Sequence, residues 1–239
     1  MKEEIRQTYS VKRTIAEAPG VVTLVCSLGD STVPEFCPGQ FINIYFPESG
    51  TPEGKSYSIS SAPHEGTLNI TVRGIGEFSN RLCALKPGDA FTASLPYGYF
   101  YSESDDSPLV MVAAGIGIAP FRSMIANEVI LHPSRSISVF YTARTLSDLV
   151  FKSELDKLSA WHPHLKPRYF ITREPVSDAV ATPRRMHVDD IFMDDHMRDA
   201  IGAEFLICGS IPFVRDMWKG LRDRGISEES MLTEAFFSH

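Results

Sequence analysis

Gly115-Ile116-Gly117-Ile118-Ala119-Pro120 follows directly on the unbroken apolar run 109–114. Two glycines let a backbone turn tightly and approach a phosphate without a Cβ in the way. A helix starting there would offer free N–H groups and a partial positive charge to an anion. Pro120 suits the first helical position, where its missing N–H costs nothing. A second group, Lys55-Ser56-Tyr57-Ser58-Ile59-Ser60-Ser61-Ala62-Pro63, closes a strand with a cation, an aromatic ring and several hydroxyls. Such a set can hold a phosphate, stack on a flat ring and hydrogen-bond a ring nitrogen; a serine-rich edge strand would have the same composition. The third, Arg73-Gly74-Ile75-Gly76-Glu77-Phe78-Ser79, is a glycine loop entering a short helix and reads as another anion cradle. Cys208-Gly209 ends an apolar run and Glu234-Ala235-Phe236 lies close to the last residue. A cysteine in such a place can also be a purely structural thiol.

Arginines form a further group. Arg144 follows Tyr141-Thr142-Ala143, Arg173 stands in Ile171-Thr172-Arg173-Glu174, and Arg184-Arg185 come soon after. If 137–141 and 168–172 are neighbouring strands of one sheet, Arg144 and Arg173 sit in loops at the same edge and can converge on one anion. A phosphate group is such an anion.

The elements that must carry these groups fall into two rhythms. Up to Phe100 the chain reads as short strands at 21–26, 41–46 and 68–73. Turn chemistry separates them at Pro38-Gly39, 47–54, His64-Glu65-Gly66 and Lys86-Pro87-Gly88-Asp89. One short helix is predicted at 79–85, and regular short strands with so little helix predict a closed barrel or a sandwich. The polar, acidic stretch 101–108 reads as a linker. Beyond it strands at 109–114, 137–141, 168–172 and 204–209 alternate with helices at 120–131, 148–158 and 212–224. Within 148–158, Leu149, Phe151, Leu155 and Leu158 lie at helical spacing. That alternation predicts a doubly wound parallel sheet with ligands at the carboxyl ends of its strands. The domain boundaries expected are 1–103 and 108–239.

Composition excludes other classes. Hydrophobic residues at 43% and charged residues at 22% describe a folded chain. No run approaches the roughly 20 apolar residues that span a bilayer, and residues 1–6 lack the apolar core of a secretory signal, so the cytoplasm is the expected compartment. The net charge of −7 argues against nucleic acid or an anionic membrane as the main partner. Cys26, Cys37, Cys83 and Cys208 make no metal-binding spacing, and disulfides are not expected without a secretory signal. His162 and His164 flank a proline in a loop and read as surface residues.

Taken in order, Lys55-x-Tyr57-Ser58-x-x-Ser61, Gly76-x-x-Ser79, Pro96-Tyr97-Gly98-Tyr99-Phe100, the glycine turn with Pro120, Cys208-Gly209 and Glu234-Ala235-Phe236 resemble the ferredoxin–NADP⁺ reductase superfamily along nearly the whole chain. The resemblance implies an antiparallel six-stranded β-barrel that binds FAD, then an α/β doubly wound parallel-sheet domain that binds a pyridine nucleotide. It places Tyr57 against the isoalloxazine and Ser58 near flavin N5. Lys55, Ser56, Val72, Gly76, Phe78 and Ser79 would join them around the flavin, with Gly76 and Ser79 at its pyrophosphate. Gly115, Gly117 and Pro120 would hold the nucleotide pyrophosphate, and Cys208, Gly209 and Glu234 would lie at the nicotinamide. Ser58, Cys208 and Glu234 are the expected catalytic set: Cys208 positions and Glu234 polarises. The family's last aromatic often covers the flavin, which points to Phe236, with Phe237 as alternate. Arg144, Thr172, Arg173 and Arg185 would meet the 2′-phosphate, since Thr172-Arg173-Glu174 resembles the Ser-Arg-Glu of NADPH-using members. The family usually has Arg at the position of Lys55. Lysine keeps the charge but loses the planar two-pronged grip on phosphate, which bears on flavin affinity and not on the fold. The implied activity is an FAD-dependent NAD(P)H reductase passing electrons to a separate ferredoxin, flavodoxin or oxygenase component. A reductase of free flavin and an electron-transfer subunit of a larger complex are the alternatives.

Overall fold

The computed structural model describes residues 5–28, 33–46, 51, 53–177, 180–193 and 202–236. The chain divides into two compact units, Met1–Tyr99 with Ala119–Asn127 and Phe100–Ile118 with Glu128–His239.

The first unit is built on β1 (Arg6–Ala18), β2 (Val21–Leu28), β3 (Phe41–Tyr45), β4 (Lys55–Ser58), β5 (Leu68–Arg73) and β6 (Ala90–Ser94), with helix α1 (Glu77–Cys83) after β5. The strands form one antiparallel six-stranded sheet in the order β4-β3-β6-β1-β2-β5. Its two edges meet where Ile59 bridges Ile70 and the Ser60 N–H donates to the Asn69 carbonyl at 2.8 Å, which closes the sheet into a barrel. Side chains alternate across each strand, so Leu68, Ile70 and Val72 point inward with Tyr9, Leu24, Ile42, Ile44 and Ile59, all buried.

The second unit contains β7 (Leu109–Ala114), β8 (Ile137–Ala143), β9 (Leu165–Ile171), β10 (Glu204–Ser210) and β11 (Met231–Phe236). They pair in parallel in the order β11-β10-β7-β8-β9. The chain winds outward from β7 through β8 to β9, then returns to β7's other side as β10. That reversal creates a switch point between β7 and β10, the place at which doubly wound sheets bind their ligands. Helix α2 (Ile118–Leu131) follows β7, α3 (Lys152–Trp161) follows β8, α4 (Asp189–Phe192) precedes β10, and α5 (Ile211–Arg222) joins β10 to β11. Among the described residues no helix is long and apolar enough to cross a membrane.

Several sequence-based boundaries move, each for a local reason. Helix α1 begins at Glu77 and not at 79, because the Ser79 hydroxyl sits in its first turn and accepts the Gly76 N–H at 3.1 Å. The helix expected at 148–158 begins at Lys152, since Phe151 takes φ 63° and breaks the turn ahead of it. Leu149 and Phe151 are therefore buried in the approach to α3 and not on its face. Helix α2 starts at Ile118, which makes Pro120 its third residue and not its first. The proline is still tolerated there, because none of the first four N–H groups has an intrahelical partner.

Candidate functional site

On the barrel unit, β4 pairs with β3 so that Lys55, Ser56, Tyr57 and Ser58 stand opposite Ile44, Asn43, Ile42 and Phe41. The Tyr57 ring stacks on Phe78 at 6.2 Å and 16°, and Phe78 meets Phe46 at 4.8 Å. The Lys55 ammonium lies 5.5 Å from the Phe78 ring centre, and the Arg81 guanidinium lies 4.0 Å from that of Phe46. The row is thus three aromatic rings, Tyr57, Phe78 and Phe46, with a cation over each of the last two, an arrangement in which ring faces attract the charges. Burial, and then the nearby Cys83, push the Tyr57 phenol well above its ordinary range, so it stays un-ionised at neutral pH. Ser56 Oγ donates to Asn43 Oδ1 at 2.6 Å, and Ser58 is buried. The Ser79 hydroxyl accepts from Ile75 N and Gly76 N and donates to the Gly76 carbonyl, so it shapes the glycine loop from within. Val72 lies in the barrel core, and its carbonyl accepts the Cys83 thiol at 3.5 Å. Phe78 is likewise buried.

On the sheet unit, the switch point gathers the expected nucleotide residues. Gly115 to Gly117 form a single 3-10 turn that leads into α2. Gly115 has φ +55°, and a Cβ there would meet nothing within 4 Å. Gly117 is packed: a Cβ would stand 2.6 Å from the Cys208 carbonyl carbon and 2.9 Å from the Gly209 nitrogen. Gly209 is equally confined, by Ala114 and Phe213. Cys208 is fully buried on β10 between Ala113 of β7 and Glu234 of β11. Burial raises its thiol well above the ordinary value and the Glu234 carboxylate adds to the shift, so at neutral pH the group is a thiol and not a thiolate. Phe236 is half-buried opposite Ser210, whereas Phe237 lies outside the described residues.

The arginine loops are tied to each other by the backbone. Past the strand ends, the Arg173 N–H donates to the Arg144 carbonyl at 2.9 Å, and Thr172 donates to the Ala143 carbonyl through both N–H and hydroxyl. Glu174 accepts the Leu146 N–H, which fastens the two loops together. Arg144, Thr172 and Arg173 are exposed. Arg184 is held by Asp190, one bond measuring 2.9 Å, and Arg185 lies 3.6 Å from Asp216.

Sequence reasoning missed Arg122 and Ser123 on α2, which grip the backbone of residues 60 and 61, and Glu65, which pairs with Arg122. Their types carry no motif; only the fold shows that a helix lies over that loop.

The family described as "Oxidoreductase NAD-binding domain" matches residues 111–219. A solved FAD/NAD-binding domain of nitric oxide dioxygenase from Vibrio cholerae superposes with TM-score 0.84 at 22% identity, covering 96% of this chain and 98% of that one. A ferredoxin NADP⁺ reductase from Neisseria gonorrhoeae, solved with FAD and NADP, gives 0.80 at 22% identity over 97% and 99%. The chain shares the two-domain fold of these solved structures. A curated relative in sequence is one component of the Na⁺-translocating NADH-quinone reductase of Klebsiella pneumoniae, 28% identical over 208 residues. That match takes 80% of this chain and 51% of the relative, so the chain spans about half the relative's length. Within this fold, the barrel row and the switch-point turn are the two candidate subsites.

Proposed function

We propose that the chain is a cytoplasmic flavoprotein reductase that binds FAD on the barrel unit and NADPH, in preference to NADH, on the sheet unit. The observation that carries this reading is the switch point. There the Gly115–Gly117 turn, the Cys208-Gly209 strand end and Glu234 meet where a doubly wound sheet binds its ligand. The barrel residues fit a flavin. Tyr57 offers a ring, Lys55 a charge, and Gly76 an extended loop with nothing within 4 Å of where its Cβ would be, so a phosphate can approach the backbone. Bound there, FAD would supply a hydride acceptor for the nicotinamide and a store of electrons that leave singly or in pairs.

This chain's residues bind, orient and exclude water. Lys55, Ser56 and Gly76 would face the flavin pyrophosphate with Ser79 shaping the loop, while Tyr57 and Ser58 would fix the ring. Gly115, Gly117 and Pro120 would hold the nucleotide pyrophosphate, and Arg144, Thr172, Arg173 and Arg185 its 2′-phosphate. The neutral Cys208 thiol would set the nicotinamide by packing, and the Glu234 carboxylate beside it would polarise the ring. The electrons would pass to a separate redox protein such as a ferredoxin, a flavodoxin or an oxygenase component.

A second reading, an electron-transfer component of a larger assembly, is favoured by the half-length match to the quinone reductase component. The purified chain decides between them. Retained yellow FAD, and turnover of a dye or redox protein with NADPH, support the reductase. A chain that binds FAD but reduces nothing alone supports the second reading. A colourless chain that takes up no FAD at micromolar concentration overturns both.

A further inference from the structure

Arg122 and Ser123 are consecutive residues on α2, within the stretch 119–127 that packs as part of the barrel unit. Arg122 Nη1 donates to the Ser60 carbonyl at 3.1 Å, and its Nη2 donates to Glu65 Oε1 at 2.7 Å. Its Nη1 also meets Glu65 Oε2, the same oxygen that accepts the Ala62 N–H at 2.9 Å. Ser123, fully buried, donates from Oγ to the Ser61 carbonyl at 2.5 Å. Two adjacent side chains therefore grip two adjacent carbonyls of the loop that follows Tyr57 and Ser58, and Glu65 locks the first of them by a two-pronged ion pair. The planar guanidinium fork suits this geometry, and the pair is largely screened from solvent, its side chains 14% and 25% exposed. Burial alone would raise the Glu65 pKa; the Arg122 guanidinium outweighs it and holds the carboxyl below its ordinary value, so the pair is ionised at neutral pH.

The helix gripped in this way is the one whose first turn grows directly out of Gly115–Gly117. We propose that the Arg122–Glu65 pair, with Ser123, is a positioning buckle for hydride transfer: it holds the helix that carries the nucleotide turn to the loop behind Tyr57 and Ser58. Neither residue touches a cofactor in this scheme; each acts by fixing what does. The inference rests on the proposed flavin and nucleotide sites. Transfer between two rings tolerates little misplacement, with about 1 Å costing on the order of 10²-fold in rate.

The test separates positioning from stability. In the FAD-loaded protein, Arg122→Ala is expected to lower the rate constant of reduction at saturating NADPH by roughly 10- to 100-fold. FAD affinity and nucleotide KM should stay within about twofold, a change too small to account for that loss. Arg122→Lys, which keeps one prong of the fork, should recover part of the rate. Adding Glu65→Gln to Arg122→Ala should cost little more, because the two act as one unit. On the cofactor-free chain, hydrogen exchange should speed up at Ala62, Glu65 and Gly66 in Arg122→Ala, which reads the buckle without any flavin. Faster exchange with a wild-type reduction rate would make the pair merely structural, and unchanged exchange would show there is no buckle; either overturns the proposal. A wild-type chain that takes up no FAD would fail earlier and separately, as a failure of the functional reading itself.

Discussion

Alanine at position 117 would place its methyl 2.6 Å from the Cys208 carbonyl carbon and 2.9 Å from the Gly209 nitrogen. Carbon atoms in ordinary contact stand about 3.5–4.0 Å apart, so the glycine turn and the β10 end must part by about 1 Å. Both sides of the clash are backbone, with no side chain to swing aside. Overpacking of this kind costs about 1–3 kcal/mol, which for a chain of this size lowers the melting temperature by roughly 2–12 °C. The same displacement moves the nucleotide turn and should slow reduction by NADPH by on the order of 10²-fold. Two companion variants isolate the cause. Gly115→Ala meets open space but must hold φ +55°, a backbone cost of about 1–2 kcal/mol without any clash. Gly76→Ala meets open space at φ −154°, which any residue adopts, so the fold should be untouched and only FAD affinity should fall. Scanning calorimetry and stopped-flow reduction read all three. A Gly117→Ala protein that melts within a degree of wild type and is reduced at the wild-type rate would refute the reasoning.

Tyr57→Ala should weaken FAD binding by roughly tenfold or more, since a stacked aromatic contributes about 0.5–1.5 kcal/mol beyond its burial. Tyr57→Phe, which keeps the ring, should bind nearly as wild type, and fluorescence titration distinguishes the two. Arg173→Ala should lower kcat/KM for NADPH by roughly 10- to 100-fold while barely changing that for NADH, because a charge-assisted bond contributes about 1.5–3 kcal/mol before exposure and salt reduce it. Equal losses with both nucleotides would show that Arg173 reads no phosphate. Cys208→Ala should slow reduction by roughly 10² while FAD stays bound. Because the raised pKa keeps this thiol protonated through neutral pH and beyond its ordinary value, the wild-type rate should show no inflection from it below pH 9.0; an inflection lost in Cys208→Ala would contradict that.

The sequence by itself determined the elements whose burial is uniform or strictly alternating. Strand β5 alternates cleanly because one face fills the barrel, and β7 is apolar throughout because it lies inside a parallel sheet; the structure places both where the pattern does, at Leu68–Arg73 and Leu109–Ala114. The glycine turn after β7 and the Cys208-Gly209 pair were legible for a related reason: φ +55° at Gly115 and the close approaches at Gly117 and Gly209 leave few residue types possible. Long-range pairing decided the rest. Strand β1 (Arg6–Ala18) went unread because a bulge between Val11 and Arg13 shifts its inward face mid-strand and most of its residues reach solvent. Strand β6 is built of small and hydroxylic residues around a single large one, Phe91, and acquires its identity only by pairing with β1 and β3. Strand β11 puts Glu234 beside Cys208, 26 positions earlier in the chain, a register no local pattern encodes. The arginines divide in the same way. Sequence position brought Arg144 and Arg173 to one sheet edge, but only the folded chain commits Arg184 to Asp190 and closes Arg122 on Glu65. Local chemistry is written in residue type and spacing, whereas the choice of a charged group's partner depends on which loops a closed barrel and a wound sheet bring together.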